Sequence, residues 1–360
     1  MPGKRTVASV AAGIVLLSVA ATSLFSVESP ATGPASTSAA APGGLSLLYV
    51  ADGADGKVSV VSTATSTVLW QIEVRADVRE VALDTSGYGS FIYLTDVGGD
   101  NFITLDAQTG KIYGTYPSGE GTLSVTSFPP GGFVYVVASK DHSVSVVDSH
   151  DHKELNRDFL HTGTFHVGQV PLYAVFTPDL RFWYTDANTS TVGVASVSAT
   201  VVAVAPWVVQ TNVTTLAQIP MPSAPGHIAV ADQGREVIAA VQDGLVVINA
   251  STYGEVARVR LPETPSGVVS SPRGDYVFAG GPGGVYVVDA RRMSLETTIE
   301  MKGGAYGLAL SPDGGTLYAS NPSAGTVTVV DVDALQAVAT VGTGGTPMGV
   351  CLYSGGGSDR

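Results

Sequence analysis

The chain has 360 residues, 44% of them apolar and only 14% charged, enough to build a large core and too apolar for global disorder. Its 18 basic and 31 acidic residues give a net charge of −13, which repels phosphate backbones and anionic lipid and argues against a nucleic-acid partner. A single cysteine, Cys351, excludes an internal disulfide and every CxxC zinc, redox or haem-attachment motif; in the apolar run GVCLY it reads as a small core side chain.

The first residues carry Lys4 and Arg5 before an apolar stretch, Val7 to Val27, the pattern of a secretory leader. Ser18-Val19-Ala20 offers a cleavage site, and the stretch is also long enough for an uncleaved anchor. Residues 1–27 are therefore expected to be a signal peptide or signal anchor. Residues 28–44, rich in Ser, Thr, Ala, Pro and Gly, are expected to be a disordered linker. The folded part is expected over 45–354, with 355–360 a disordered tail.

From Leu47 onward one strand pattern recurs seven times: KVSVVS (57–62), NFITLD (101–106), SVSVVD (143–148), TVGVAS (191–196), GLVVIN (244–249), GVYVVD (284–289) and TVTVVD (326–331). Successive copies end 44, 42, 48, 53, 40 and 42 residues apart. Each is preceded by another strand, such as FIYLTD (91–96) or TLYASN (316–321), and before that by a Pro/Asp/Gly turn such as SPDGG (311–315). A short inner strand opens each unit and a fourth strand closes it. A period of this length built from short strands predicts an all-β, seven-bladed β-propeller of four-stranded antiparallel blades. The chain begins with a second strand and ends with a lone inner strand, Met348 to Tyr353. These two ends are predicted to pair as one blade, closing the ring and removing its free edges.

The segments GLALSPDGGTLYASN (307–321), GTVTVVDVDALQAVATVGTGGTPMGV (325–350) and FITLDAQTGKI (102–112) resemble the YVTN family of β-propeller repeats. The resemblance covers Leu47 to Tyr353, strongest in the last two blades, and the WD dipeptide of WD40 repeats is missing. It implies a seven-bladed secreted or cell-envelope protein and carries no activity with it. Related rings form part of amine dehydrogenases and lactonases.

Blade connections alternate between the two faces of such a ring, so the starts of the inner strands and the loops after the second strands share one face. That rule places Arg79, Glu80, Asp96, His142, Tyr173, Asp186, His227, Tyr306 and Asn321 at the channel mouth as candidate ligand- or partner-binding residues. Neighbouring Arg79 and Glu80 alternate along a strand, so only one of them is expected to point into the channel. Glu80, His227 and Asp96 are the candidates for acid–base work, should the ring be an enzyme. With one group of each kind on different blades and no GxSxG, Walker or GxGxxG motif, no catalytic set is assigned.

Five of six histidines, His142, His150, His152, His161 and His166, fall within 25 residues without a diagnostic ligand spacing, and no metal site or cofactor is assigned. DGADGK (52–57) and DVGGDN (96–101) read as turns rather than calcium loops. Asn188, Asn212 and Asn249 begin glycosylation sequons. The fourth blade carries extra residues from Val197 to Ile219, including VVAVAPWVVQ, expected as an extended outer hairpin or an exposed partner strip. The expected function is an extracytoplasmic binding propeller, monomeric, taking an unknown protein or small-molecule ligand at the mouth. It would touch a membrane only through an N-terminal anchor. A lactonase-like hydrolase or isomerase and an accessory subunit of a redox enzyme are the alternatives.

Overall fold

The computed structural model describes residues 46–53, 55–84, 90–148, 163–204 and 207–354, with the side chains at 84, 148, 201–204 and 207–209 set aside. The leader and linker over 1–44 and the tail over 355–360 lie outside the described residues, as do His150, His152 and His161.

Seven four-stranded antiparallel sheets follow one another around a ring, each ordered inner to outer along the chain. Blade 1 is the exception that closes it. Its inner strand is the C-terminal Val350–Ser354, paired with Ser46–Ala51 in the register Leu47↔Tyr353 and Tyr49↔Cys351. Lys57–Ser62 and Thr67–Glu73 complete that blade. The predicted pairing of the two ends is therefore present, and so is the seven-bladed ring.

The repeated pattern forms the third strand of every blade. The second and third strands are buried on both faces, as their unbroken Val, Ile, Leu and aromatic content requires. Outer strands such as Thr67–Glu73 alternate between exposed and half-buried positions. The core lies between adjacent blades, so each blade is stabilised by its neighbours. Leu47, Tyr49, Val58 and Val60 of blade 1 pack with Ile92, Leu94, Ile103 and Leu105 of blade 2. The Tyr49 hydroxyl also donates to the Ala107 carbonyl across that seam, 2.9 Å away. Cys351 is buried in the same cluster, and burial pushes its thiol well above the ordinary range.

Blades 3 and 4 meet over an aromatic cluster. Tyr135 lies edge-on to Phe176 at 4.8 Å between ring centroids, and Phe165 edge-on to Phe182 at 5.7 Å. The insertion in blade 4 extends its two outer strands, Thr191–Val204 and Trp207–Pro220, into one paired hairpin. Val197, Ala199 and Val213 of its near half pack on the aromatic cluster. The side chains of Val201, Val204 and Trp207, which bear on the partner-strip alternative, lie outside the described residues.

Candidate functional site

Three residue pairs of one type build the mouth of the channel. Thr95-Asp96, Thr185-Asp186 and Ser320-Asn321 end the second strands of blades 2, 4 and 7. In each pair the hydroxyl reaches inward and accepts the backbone N–H of the adjoining inner strand. Thr95 takes Glu80 N–H at 3.0 Å, Thr185 takes Tyr173 N–H at 3.1 Å, and Ser320 takes Gly307 N–H at 2.8 Å. In blades 2 and 4 this side-chain bond stands where the ladder shifts register, between Val78 and Val81 and between Pro171 and Ala174. A bulge of this kind re-aims the side chain it carries, and the two residues so placed are Glu80 and Tyr173.

The second member of each pair turns outward into its own loop. Asp186 is fully buried and accepts the backbone N–H of Gln169 at 2.7 Å, Val170 at 3.0 Å and Asn188 at 3.1 Å. Although desolvation alone would raise it, these backbone bonds hold its carboxyl below the usual range. Asp96 accepts Gly99 N–H at 3.0 Å. Asn321 donates to the Lys302 carbonyl at 2.5 Å and accepts Ala324 N–H at 3.0 Å. Asp96, Asp186 and Asn321 therefore staple loops, and their polar atoms are engaged there rather than offered to the channel. His142 is exposed, at φ 56° in the turn before the third strand of blade 3, a position held by Asp100 in blade 2 and Ser190 in blade 4. His166 pairs with Ser143 next to it and is also exposed.

Four of the nine candidates converge. Glu80 of blade 2 and His227 of blade 5 face each other across the channel, with Oε1 and Nε2 3.7 Å apart. Tyr173 of blade 4 stacks on the His227 ring at 3.7 Å between centroids, and Tyr306 of blade 7 meets the same ring edge-on at 6.1 Å. Arg79 sits at the rim. It is about half exposed and held by Asp77, Nη2 to Oδ2 3.2 Å, a partner that the face rule does not single out. Glu80 points inward and Arg79 does not; the bulge between Val78 and Val81, rather than plain strand alternation, sets the two directions.

Glycine on the other side makes this convergence asymmetric. Gly267, Gly307 and Gly349 occupy the inner-strand positions of blades 6, 7 and 1 that correspond to Glu80. A Cβ on Gly349 would lie 2.5 Å from the Arg79 carbonyl oxygen, and one on Gly307 would lie 2.4 Å from that of Met348. The backbones close up there, and Gly349 N–H donates to Arg79 O at 2.7 Å. The side chains of blades 2, 4, 5 and 7 fill the space that remains.

Burial sets the electrostatics of this floor. Glu80 Oε1 and His227 Nε2 are both shielded from solvent and have no hydrogen-bond partner. Desolvation pushes the Glu80 carboxyl up to about 8 and the His227 imidazole down to about 4. Near neutral pH the proton therefore resides on Glu80 and the imidazole is neutral. Burial, and secondarily the Glu80 charge, raise both phenols. Among the described residues no three His, Cys, Asp or Glu side chains gather as metal ligands.

The fold and this floor define a seven-bladed propeller with a carboxyl–imidazole pair across its channel. The chain belongs to the PQQ_2 family, described as outer membrane protein assembly factor BamB, whose profile matches residues 54–334. No curated protein matches the sequence. Among solved structures, apo AztD from Citrobacter koseri superposes with a TM-score of 0.65 at 12% identity, covering 87% of this chain and 99% of that one. A functionally unknown protein from Desulfotomaculum acetoxidans gives 0.68 at 15% identity, covering 86% and 99%. Hydrazine synthase from Kuenenia stuttgartiensis gives 0.58 at 18% identity, covering 77% and 92%. At these identities the likeness is one of fold.

Proposed function

We propose that this protein is an extracytoplasmic binding propeller that captures a small molecule or a partner segment at the channel mouth, over the floor made by Glu80, Tyr173, His227 and Tyr306. One observation carries the reading: four polar side chains from four blades converge at one point, and two of their buried polar atoms lack partners. Buried polar groups without partners are costly and are retained where they serve something else. The leader-like residues 1–27, followed by a linker over 28–44, support export, and the YVTN-type repeat motif supports a cell-envelope setting. The resemblance to subunits of redox complexes supports at most an accessory role, with any cofactor on another chain.

The test is a thermal-shift screen of small amines, carboxylates, alcohols and sugars on the full chain, repeated with His227→Ala, Tyr306→Ala. The expected result is binding by at least one class that is lost in the double variant. Binding that survives the double substitution, or none from any class, overturns the reading.

A specific observation also favours acid–base chemistry. Glu80 is held protonated and His227 neutral within 3.7 Å, an acid and a base set by their surroundings. Hydrolysis of a lactone panel, lost in Glu80→Gln, would promote the hydrolase reading; Asp96, engaged by its loop, would not take part.

A further inference from the structure

We propose that the floor of the mouth takes a small organic cation, a protonated amine, with the Glu80 carboxylate as its counter-charge. The inference rests on the mouth-binding reading and names the class of its guest. Its starting point is a mismatch of charge. Glu80 is a carboxyl drawn out of water with no cation to match it: its facing neighbour is a neutral imidazole, and its Oε1 has no hydrogen-bond partner. An acid in that position keeps its proton until another positive charge replaces it.

The surroundings fit such a replacement. Three ring systems, Tyr173, His227 and Tyr306, are packed against one another beside the carboxyl, and each is partly open to the channel. Aromatic faces around one carboxylate make a recognition site for an ammonium group, which gains from the ring quadrupoles as well as from the opposite charge. A divalent metal fits less well. Glu80 and His227 are the two ligand-type side chains that meet there, whereas a structural or catalytic zinc site uses three or four protein ligands.

The charged and titratable groups facing Glu80 are few. Arg79 and Asp77 lie on its own strand approach and neutralise each other at the rim. Asp96, at the end of the adjacent strand, is taken by Gly99 N–H. His227, Tyr173 and Tyr306 come from blades 5, 4 and 7. The matching positions of blades 1, 3 and 6 are Gly349, Ser124 and Gly267, which carry no charge. The exchange balances simply. The ammonium enters, Glu80 releases its proton to solvent, and the site's net charge stays at zero, a neutral carboxyl giving way to an ammonium–carboxylate pair.

Titration calorimetry on the full chain tests this with benzylamine, its uncharged analogue benzyl alcohol and the anion benzoate, in two buffers of different ionisation heat. Benzylamine is expected to bind at least tenfold more tightly than the other two. It should release about one proton per molecule at pH 6.5, and its affinity should rise about tenfold per pH unit below the Glu80 value. Glu80→Gln, a neutral isostere, should weaken it at least tenfold and abolish proton release. Arg79→Gln, which removes the rim cation, should tighten it.

Benzylamine binding no tighter than benzyl alcohol, or proton release unchanged in Glu80→Gln, overturns the cation inference. So does zinc chloride bound at one equivalent and lost in His227→Ala. Binding of the alcohol or benzoate as tight as that of benzylamine, and lost in Tyr306→Ala, would sink the cation and leave the mouth reading standing. Silence from all three probes sinks the cation as well, while the mouth reading then rests on the wider screen.

Discussion

Replacing Glu80 with glutamine should change the shape of the stability–pH curve, not merely its height. In the unfolded chain the carboxyl titrates at its ordinary 4.5 and the imidazole at 6.5; in the folded ring they stand at about 8 and about 4. The two shifts act in opposite directions. Between pH 4.5 and 6.5 the folded state holds its proton on Glu80, and the unfolded state holds one on His227. The proton counts match, and this pair gives a plateau. Above pH 6.5 the unfolded chain holds none while the folded one keeps its proton. Stability therefore falls as pH rises toward 8, by about 1.5 pH units or ~2 kcal/mol. Glu80→Gln removes that fall. It also exposes the histidine alone: stability should drop by roughly 3 kcal/mol as pH goes from 6.5 to 4.5, because only the unfolded state gains a proton there. His227→Gln should do the reverse, sloping downward from pH 4.5 to 8. Urea unfolding at half-unit pH steps, with each variant referred to the parent chain, measures these differences. Parallel curves for Glu80→Gln and the parent would refute the burial argument, and would mean the pair is an ordinary solvated ion pair.

Three further predictions follow from the same geometry. Asp186→Ala strips partners from several part-buried loop N–H groups and should cost about 1–3 kcal/mol in urea unfolding; since its carboxyl is held low, that contribution in the parent is lost only as pH falls toward strong acid. Ending the chain at residue 347 removes the inner strand of blade 1 and leaves Ser46–Ala51 with an open edge. Size-exclusion chromatography should then show aggregation and calorimetry no cooperative transition; an unchanged midpoint would deny the closure its role. Gly349→Val forces a side chain against Arg79 O and Glu80 Cα and should lower stability by roughly 1–3 kcal/mol. An unchanged midpoint would show that the inner strands of blades 1 and 2 are not in close register.

The ring was legible in the sequence because its signal is redundant. Seven copies of a buried third strand set the blade count, and the mismatch between the chain's first and last strands dictated the closure. Periodicity of this kind survives local irregularity: the insertion between Val197 and Ile219 lengthens a hairpin and leaves the blade order intact. What a strand pattern cannot encode is where a bulge falls. The register shifts at Val78–Val81 and Pro171–Ala174 aim Glu80 and Tyr173, and they depend on a hydroxyl from the neighbouring strand. The signal for them was present as the Thr-Asp and Ser-Asn pairs at 95–96, 185–186 and 320–321, but its two members serve opposite sides. The hydroxyl positions the inner strand, and the acid or amide holds the loop.

That division explains why the candidate site was only half legible. The face rule placed nine residues at one end of the ring by counting connections, and counting cannot separate a carboxyl turned inward from one consumed by backbone N–H groups. Asp96, Asp186 and Asn321 each follow a hydroxyl residue and precede a loop of four residues, the sequence context of an Asx turn. Glu80 and His227 hold equivalent positions at the start of their inner strands, where Gly267, Gly307 and Gly349 stand in blades 6, 7 and 1. Large polar residues in a register held by glycine or serine in the other blades mark the places where the channel is filled. Their meeting across the ring, from blades 2 and 5, is a distance of 147 residues in sequence closed to 3.7 Å in space. No spacing rule links them; the seven-fold geometry does, because blades three apart lie on opposite sides of the same narrow channel.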